Sequence, residues 1–289
     1  MSGAPAFPPP HTWRPLLALA LAEDLGPGDA TTPLVVPASQ EGEAVIEARQ
    51  RLVVCGLPLA AAVFEAVDGG LTFAAEAREG EQRSAGEPLA RIYGSVRSLL
   101  AAERTALNFL GRLCGVSTFT RRFADAIAGT ACALVDTRKT LPGWRSLDKY
   151  ATAVGGAVNH RMGLYDGILL KDNHIAAAGG VALAVKAALA AAPASLRVQV
   201  EVESEGDALA AIEAGADSLL LDNCSPAELR RIVANVGSRA LLEASGGVTL
   251  ENVRLLAGTG VQRISVGALT HSAPAADVSM ELSPGGAGL

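Results

Sequence analysis

The spacing of apolar residues changes along the chain and predicts three kinds of structure. An apolar run over residues 16–22 predicts a short helix that ends at Gly26. Over residues 41–93, short β-prone runs separated by Gly predict an antiparallel sheet, with a helix over residues 57–67 laid across it. Over residues 98–127 the apolar residues recur at helical spacing, which predicts one long helix.

A different rhythm follows residue 130, where short apolar runs end in polar residues or Gly and most are followed by a helical stretch. Strands are predicted to begin near residues 134, 167, 197, 218, 240 and 263. The last four starts are 21, 22 and 23 residues apart, which suits βα units because a parallel partner strand needs a crossover of a dozen or more residues. Six such units predict an incomplete βα barrel, with an open doubly wound sheet as the alternative.

These patterns divide the chain into an α+β part and an α/β part. We predict an N-terminal domain over residues 1–115 and a βα-barrel catalytic domain over residues 116–271. The tail over residues 272–289 contains the β-like segment DVSMEL, which is expected to return to the N-terminal sheet. The first twelve residues, rich in Pro and small side chains, are expected to fray.

Composition narrows the class of function. The 289 residues are 49% hydrophobic and 4% aromatic and carry a formal charge of −6, which indicates a soluble globular protein without the broad basic face that nucleic acid requires. The four cysteines form no C-x-x-C pair and are expected to be small buried apolar residues in a reducing compartment. No apolar run is suited to a membrane span or a signal peptide, so a cytoplasmic protein is expected.

Candidate chemistry lies where the predicted barrel strands end, because working residues of βα barrels lie at the carboxyl ends of strands. Basic residues follow the first two strands, and acidic residues lie in or after the next two. These residues are Arg138, Lys139, His160, Arg161, Lys171, Glu201 and Asp222. Lys171 stands out, because an ammonium group at the end of the buried strand ILL requires an anion or an acceptor. His174 either caps the loop or orients Lys171.

The ends of the other predicted strands carry acidic residues or Gly, which indicate further binding groups. Either Glu201 or Asp222 could pair with an Arg, and together they could hold ribose hydroxyls or Mg²⁺ bound to ligand phosphates. The last two strands end in S-G-G at residues 245–247 and V-G-A at residues 266–268, where exposed backbone N–H groups suit a phosphomonoester. A ligand with a phosphate at one end, sugar hydroxyls in the middle and more negative charge at the far end matches this layout, as a phosphoribosyl donor does.

Several blocks of the chain resemble the quinolinate phosphoribosyltransferase family. They are EDLGPGDATT, AERTALNFLGRLCGVST, DTRKTLPGWRSLDKYA, GAVNHRMGLYDGILLKDNH, VEVES, LLLDN, EASGGV and ISVGALTHS. The resemblance implies an N-terminal open-faced sandwich before an incomplete βα barrel. It also implies a homodimer in which each subunit lends an Arg, here Arg104, to its neighbour's site, with higher oligomers possible.

The resemblance assigns roles residue by residue. It implies that the pyridine dicarboxylate is held by Arg138, Lys139, His160, Arg161 and Lys171, and Thr137 is a further expected substrate-binding residue. Glu201 and Asp222 would face the ribose and Mg²⁺. The 5′-phosphate would be held by Ser245, Gly246, Gly247, Val266, Gly267 and Ala268. Lys139, Lys171, Glu201 and Asp222 are the expected catalytic residues.

The implied reaction converts quinolinate and phosphoribosyl pyrophosphate into nicotinate mononucleotide, pyrophosphate and CO₂ for NAD synthesis. Two alternatives from other classes remain open at this point. One is an aldolase-like enzyme in which Lys171 forms a Schiff base with a sugar phosphate. The other is a non-catalytic paralogue of the molybdenum-transport-associated type that binds phosphoribosyl metabolites.

Overall fold

The computed structural model describes residues 5–284 and contains both helical and β structure. The helices are α1 (Arg14–Leu25), α2 (Thr32–Val35), α3 (Leu57–Val67), α4 (Val96–Ala126), α5 (Arg145–Gly155), α6 (Asp172–Ala178), α7 (Val181–Ala191), α8 (Glu205–Glu213), α9 (Pro226–Val236), α10 (Val253–Ala257) and α11 (Ala268–His271). The strands are β1 (Glu41–Ala48), β2 (Leu52–Val53), β3 (Thr72–Ala75), β4 (Gln82–Arg83), β5 (Pro88–Ser95), β6 (Ala133–Val135), β7 (Ile168–Leu170), β8 (Val198–Val202), β9 (Ser218–Asp222), β10 (Leu241–Ser245), β11 (Arg263–Ser265) and β12 (Val278–Pro284).

The chain forms two compact units. The first contains Met1–Arg121, Leu141–Gly156 and Ala273–Leu289, and the second contains Arg122–Thr140 and Ala157–Ser272. Residues 141–156, which carry α5, therefore group with the first unit although they fall within the predicted range 116–271. The ends of the predicted N-terminal domain and tail, residues 1–4 and 285–289, lie outside the described residues.

The first unit is built on an antiparallel sheet with strand order β12-β1-β5-β3. The tail returns to this sheet, since Ala48 pairs with Val278 and Gly42 pairs with Pro284. Its core is formed by apolar side chains from the sheet and from α3 and α4, including the fully buried Ile46, Ile92 and Leu110. This burial is the main favourable contribution to the fold, at about 25 cal/mol per Å² of apolar surface.

A buried ion pair fixes α5 against α4 within this unit. The guanidinium group of Arg112 donates to both carboxylate oxygens of Asp148, with three N···O distances of 3.0 to 3.1 Å. Burial raises the pKa of Asp148, and the charge and hydrogen bonds of Arg112 oppose that rise. The side chain of Asp148 also accepts the backbone N–H of Leu141, so it anchors the loop that precedes α5.

The chain start and the cysteines differ from the sequence expectations. Over residues 5–12 the chain is packed rather than frayed, because the ring of Phe7 lies 5.0 Å from that of Tyr150 and 5.9 Å from that of Trp13. Cys55 and Cys114 are buried as expected, and burial raises the pKa of Cys114 to about 12. The other two cysteines are only partly buried, so the expectation was wrong for them.

The second unit is an incomplete βα barrel with the parallel strand order β6-β11-β10-β9-β8-β7. Among the described residues no backbone ladder joins β6 to β7, and an isolated bridge from Val135 to Val158 adds a short segment beside β6. The central strands consist of near-continuous apolar residues because both faces of these strands are buried. For example, SLLL over residues 218–221 of β9 is fully buried.

Serine caps start two of the barrel helices directly after their strands. Ser204 Oγ accepts the backbone N–H of Asp207 at the start of α8. Ser225 and Glu228 form a reciprocal capping box at the start of α9, as the sequence S-P-A-E favours. These caps keep the turns at the carboxyl ends of β8 and β9 short, and these turns follow the strand ends that carry Glu201 and Asp222.

Over residues 5–284, no single helix is both long enough and apolar enough to cross a bilayer. The pair α6 and α7 reaches that length and composition only when taken together, and it is bent by 92°.

Candidate active site

A cavity of about 580 Å³ lies at the carboxyl ends of the barrel strands. Its lining contains every predicted site residue except Arg104. These residues are Thr137, Arg138, Lys139, His160, Arg161, Lys171, Glu201, Asp222, Ser245, Gly246, Gly247, Val266, Gly267 and Ala268. The barrel topology thus brings together residues that are up to 131 positions apart, from Thr137 to Ala268.

The first wall of the cavity is basic. Arg138 and Lys139 lie in the loop after β6, which is held by two hydrogen bonds: Thr137 Oγ1 accepts the N–H of Lys139, and Thr270 Oγ1 donates to its carbonyl at 2.8 Å. Burial and the neighbouring positive charge of Arg138 lower the pKa of Arg161. A bound carboxylate would relieve both effects, so this wall suits an anionic ligand.

Lys171 ends β7 and faces the acidic part of the cavity. Its Nζ lies 3.0 Å from Glu201 Oε2, and 47% of its side chain is exposed. Its backbone N–H donates to His174 Nδ1 at 3.0 Å, so His174 caps this loop. Strand β7 is half-buried because it is an edge of the open sheet, and the acceptor expected for the ammonium group is Glu201.

His160 is held by a buried polar network below the cavity. Its backbone N–H donates to the buried Asp136, and its ring Nδ1 accepts the backbone N–H of Arg161 at 2.7 Å. The hydrogen-bond network therefore places the ring hydrogen on Nε2, which lies 3.1 Å from Gln199 Oε1. Gln199 in turn donates to Glu243 Oε2 at 3.2 Å.

We expect Gln199→Leu to destabilise the protein and disturb this network. The variant removes the amide that accepts from the partly buried His160 and donates to the buried Glu243. Leaving a buried polar group without its partner costs about 1–3 kcal/mol, so the urea midpoint should fall accordingly. The exposed Gln50→Leu is the control and should leave the midpoint unchanged. Equal midpoints for the two variants would show that the network does not stabilise the barrel.

Two carboxylates lie in the middle of the cavity, on the neighbouring strands β8 and β9. Glu201 pairs with Lys171, and Asp222 accepts a hydrogen bond from the Asn223 amide at 2.7 Å. Within the described part of the chain, no cluster of three or more His, Cys, Asp or Glu side chains could hold a metal ion. The donor set therefore fits Mg²⁺ only if a ligand supplies further oxygens, which is the usual way in which Mg²⁺ binds with substrate phosphates.

The opposite wall is formed by glycines at the ends of β10 and β11. Gly246 has a φ of +91°, and a Cβ atom there would lie 2.2 Å from Asn223 Oδ1 and 2.8 Å from the Asn223 backbone nitrogen. A Cβ atom on Gly267 would lie 2.8 Å from Lys139 Cδ. The position of Gly246 therefore requires Gly, whereas at Gly267, with a φ of −66°, the flexible Lys139 side chain would have to move. The bare backbone at both positions can approach a phosphate closely.

Gly246→Ala is expected to weaken the use of a phosphorylated substrate. The added methyl group is strained at this φ and displaces Asn223, which moves the backbone N–H groups of the turn. A cost of about 1–3 kcal/mol corresponds to a roughly 5- to 150-fold loss in kcat/KM for that substrate. Gly129→Ala is the matched control, because Gly129 has a φ of +80° and nothing within 4 Å of its Cβ position. Similar kinetics for the two variants would contradict a role for the Gly246 turn.

Two family models together match most of the chain. The quinolinate phosphoribosyl transferase N-terminal domain matches residues 29–114, and the C-terminal domain matches residues 116–281. The chain belongs to the quinolinate phosphoribosyltransferase family.

Relatives of this family are similar over nearly their whole length. The nicotinate-nucleotide pyrophosphorylase [carboxylating] of Mycobacterium leprae is 42% identical, with 93% of this chain and 96% of the relative covered. The probable enzyme of the same name from Bacillus subtilis is 39% identical, with 93% of each chain covered. The crystal structure of NadC from Streptococcus pyogenes superposes with a TM-score of 0.93 at 36% identity, covering 97% of this chain and 99% of that one.

Seven residues that line the cavity in this quinolinate phosphoribosyltransferase family member were not among the site residues predicted from the sequence. They are Leu169, Leu220, Glu243, Val248, Thr249, Ser265 and His271. The sequence places Glu243 at the end of the fifth predicted barrel strand but gives it no role. In the strand LLEAS it is two residues before Ser245 and therefore shares the inward face with it. His271 gave no signal, since only the short helix α11 brings it to the cavity.

Arg104 lies apart from this lining. It is on α4 in the first unit, 65% of its side chain is exposed, and its Nη2 lies 3.9 Å from Glu103 Oε1. Such an exposed pair contributes little to stability, and it leaves the guanidinium group accessible for another contact.

Proposed function

We propose that this cavity binds quinolinate and phosphoribosyl pyrophosphate side by side and catalyses decarboxylating phosphoribosyl transfer. The products are nicotinate mononucleotide, pyrophosphate and CO₂, and the reaction serves NAD synthesis. The observation that carries the proposal is that one cavity combines a basic wall, two carboxylates and a glycine turn, in that order. Each of these matches one part of the two substrates.

Quinolinate is proposed to lie against the basic wall. Arg138 and Arg161 can each make paired N–H···O bonds to a carboxylate, while Lys139 and Lys171 supply compact charges that can approach the ring. His160 and Thr137 complete this end of the cavity. The network through Gln199 and Glu243 supports this role because it fixes the His160 ring in one orientation.

The phosphoribosyl donor is proposed to span the rest of the cavity. Glu201 and Asp222 would accept the ribose hydroxyls or hold Mg²⁺ with the pyrophosphate. The 5′-phosphate would lie against the turn at Ser245, Gly246 and Gly247. The facing strand end at Val266, Gly267 and Ala268 would supply further backbone N–H groups.

The chain's contribution to the reaction is mainly orientation and charge. Mg²⁺, when bound, would stabilise the negative charge of the departing pyrophosphate. The basic wall fixes the pyridine nitrogen for attack on an oxocarbenium-like ribosyl carbon. After the bond forms, the ring nitrogen is cationic and can stabilise the carbanion left when the adjacent carboxylate departs as CO₂. Lys171 and Lys139 then stabilise charge that develops near the ring.

We also infer a cytoplasmic homodimer in which the partner subunit's Arg104 completes the basic wall. The exposed guanidinium group of Arg104 supports this inference, since its ion pair with Glu103 is long, at 3.9 Å. The aldolase-like alternative is disfavoured because both matching family models are those of a phosphoribosyltransferase.

The proposal is tested by incubating the purified protein with quinolinate, phosphoribosyl pyrophosphate and MgCl₂. We expect equal amounts of CO₂ and nicotinate mononucleotide, and we expect EDTA to abolish both. Release of ¹⁴CO₂ from 2-carboxyl-labelled quinolinate and chromatography of the nucleotide provide the measurements. Absence of turnover in a correctly folded dimer would favour a non-catalytic binding protein instead.

A further inference from the structure

A second cavity of about 330 Å³ lies in the barrel unit, at the other end of the strands. Its lining includes Ile168 and Ser218, which are the first residues of β7 and β9, and Arg263, the first residue of β11. Arg197 immediately precedes β8. The substrate cavity lies at the carboxyl ends of the same strands, so the two cavities are on opposite sides of the barrel.

The second cavity is rich in positive charge. Three guanidinium groups line it, from Arg161, Arg197 and Arg263, against the single carboxylate of Asp166. Asp166 already accepts the backbone N–H groups of Met162 at 2.7 Å and Gly163 at 2.8 Å. Among residues 5–284, neither Arg197 nor Arg263 has a carboxylate within 4 Å. The positive charge in the lining of this cavity therefore exceeds its negative charge.

One short segment separates the two cavities. His160 and Arg161 line both of them. Arg161 Nη1 donates to the carbonyl of Gly167, which belongs to the second cavity, at 2.8 Å. The guanidinium group of Arg161 is thus available to ligands on either side. A ligand in one cavity would compete for it with a ligand in the other.

We propose that the second cavity is a binding site for a small phosphate-bearing dianion, such as inorganic phosphate or a phosphomonoester. Arg197 and Arg263 would make charge-assisted bonds to the phosphate oxygens, and the Ser218 hydroxyl would add a neutral donor. The volume lies in the range of small-ligand sites and leaves room for a group larger than phosphate itself. Occupancy draws Arg161 away from the substrate cavity, a consequence that rests on the proposed role of Arg161 in binding quinolinate.

The site is tested by calorimetric titration of inorganic phosphate into the full-length protein and two double variants. Arg197→Gln/Arg263→Gln removes the two proposed contacts. Arg230→Gln/Arg231→Gln removes the same amount of charge from α9, outside both cavities. We expect two phosphate sites in the parent protein and in the α9 variant. The first double variant should lose one site, with its affinity falling at least about tenfold.

A kinetic readout separates this proposal from the proposed function. The KM for quinolinate is measured at a saturating concentration of the phosphoribosyl donor, with phosphate or with NaCl at equal ionic strength. Phosphate should raise this KM in the parent protein. It should not raise it in Arg197→Gln/Arg263→Gln. Without phosphate, the kcat of that variant should equal the parent value. Unchanged phosphate binding in a variant with an unaltered melting temperature would overturn the site, whatever the turnover. Absence of turnover with intact phosphate binding would count against the proposed function alone.

Discussion

Nicotinate is expected to replace quinolinate very poorly, with kcat/KM lower by about 10⁴-fold. Nicotinate lacks the carboxylate beside the ring nitrogen, and the basic wall would face the ring without that charge. The effect is large because burial and Arg138 already disfavour the charge on Arg161, as its lowered pKa shows. A site built around a charged partner rejects an analogue that lacks it.

Because both acids give nicotinate mononucleotide, the measurement is the initial rate of nucleotide formation with each acid supplied alone, followed by chromatography. Arg138→Gln should reduce the ratio of kcat/KM for quinolinate to kcat/KM for nicotinate, because it lowers the value for quinolinate far more than the value for nicotinate. If the parent protein prefers quinolinate over nicotinate by less than about tenfold in kcat/KM, the basic wall does not recognise the carboxylate beside the ring nitrogen.

Lys171→Ala is expected to lower kcat by about 10²–10³-fold, the usual effect of removing one preorganised charge from a reacting centre. The variant also leaves the Glu201 carboxylate without the ammonium group that lies 3.0 Å from it. That unbalanced negative charge would repel the pyrophosphate of the donor, so the KM for the donor should rise as well. Initial rates with both substrates varied distinguish the two effects.

Lys186→Ala is the matched control, because Lys186 is exposed on α7 and outside the cavity. It should leave both kinetic constants unchanged. Near-parent values for Lys171→Ala would remove Lys171 from the mechanism and leave Lys139 as the candidate cation.

The pattern of apolar and polar residues predicted the limits of many helices and strands, because those limits depend on interactions between residues that are close in sequence. The predicted strand starts at residues 134, 167, 197, 218, 240 and 263 lie within one residue of the observed starts of the barrel strands. The helix predicted over residues 57–67 has those same limits in the structure. Periodicity, Gly punctuation and serine caps are all local, and each is strong here.

The remaining features depend on residues that are far apart in the chain. The contact from His160 to Gln199 spans 39 positions, and the one from Gln199 to Glu243 spans 44. The curvature of the sheet brings these three side chains together, so the sequence pattern around each of them does not predict the contacts. The packing of Phe7 on Tyr150 is of the same kind, and composition alone suggested a loose chain start.

Pairing of β12 with β1 has a consequence for synthesis on the ribosome. The strand that pairs with β1 at the edge of the first sheet is synthesised more than 200 residues after β1. Until β12 has emerged, a nascent chain therefore exposes the unpaired backbone N–H and C=O groups of β1. Nonsense mutations shortly before residue 278 should give an aggregation-prone polypeptide.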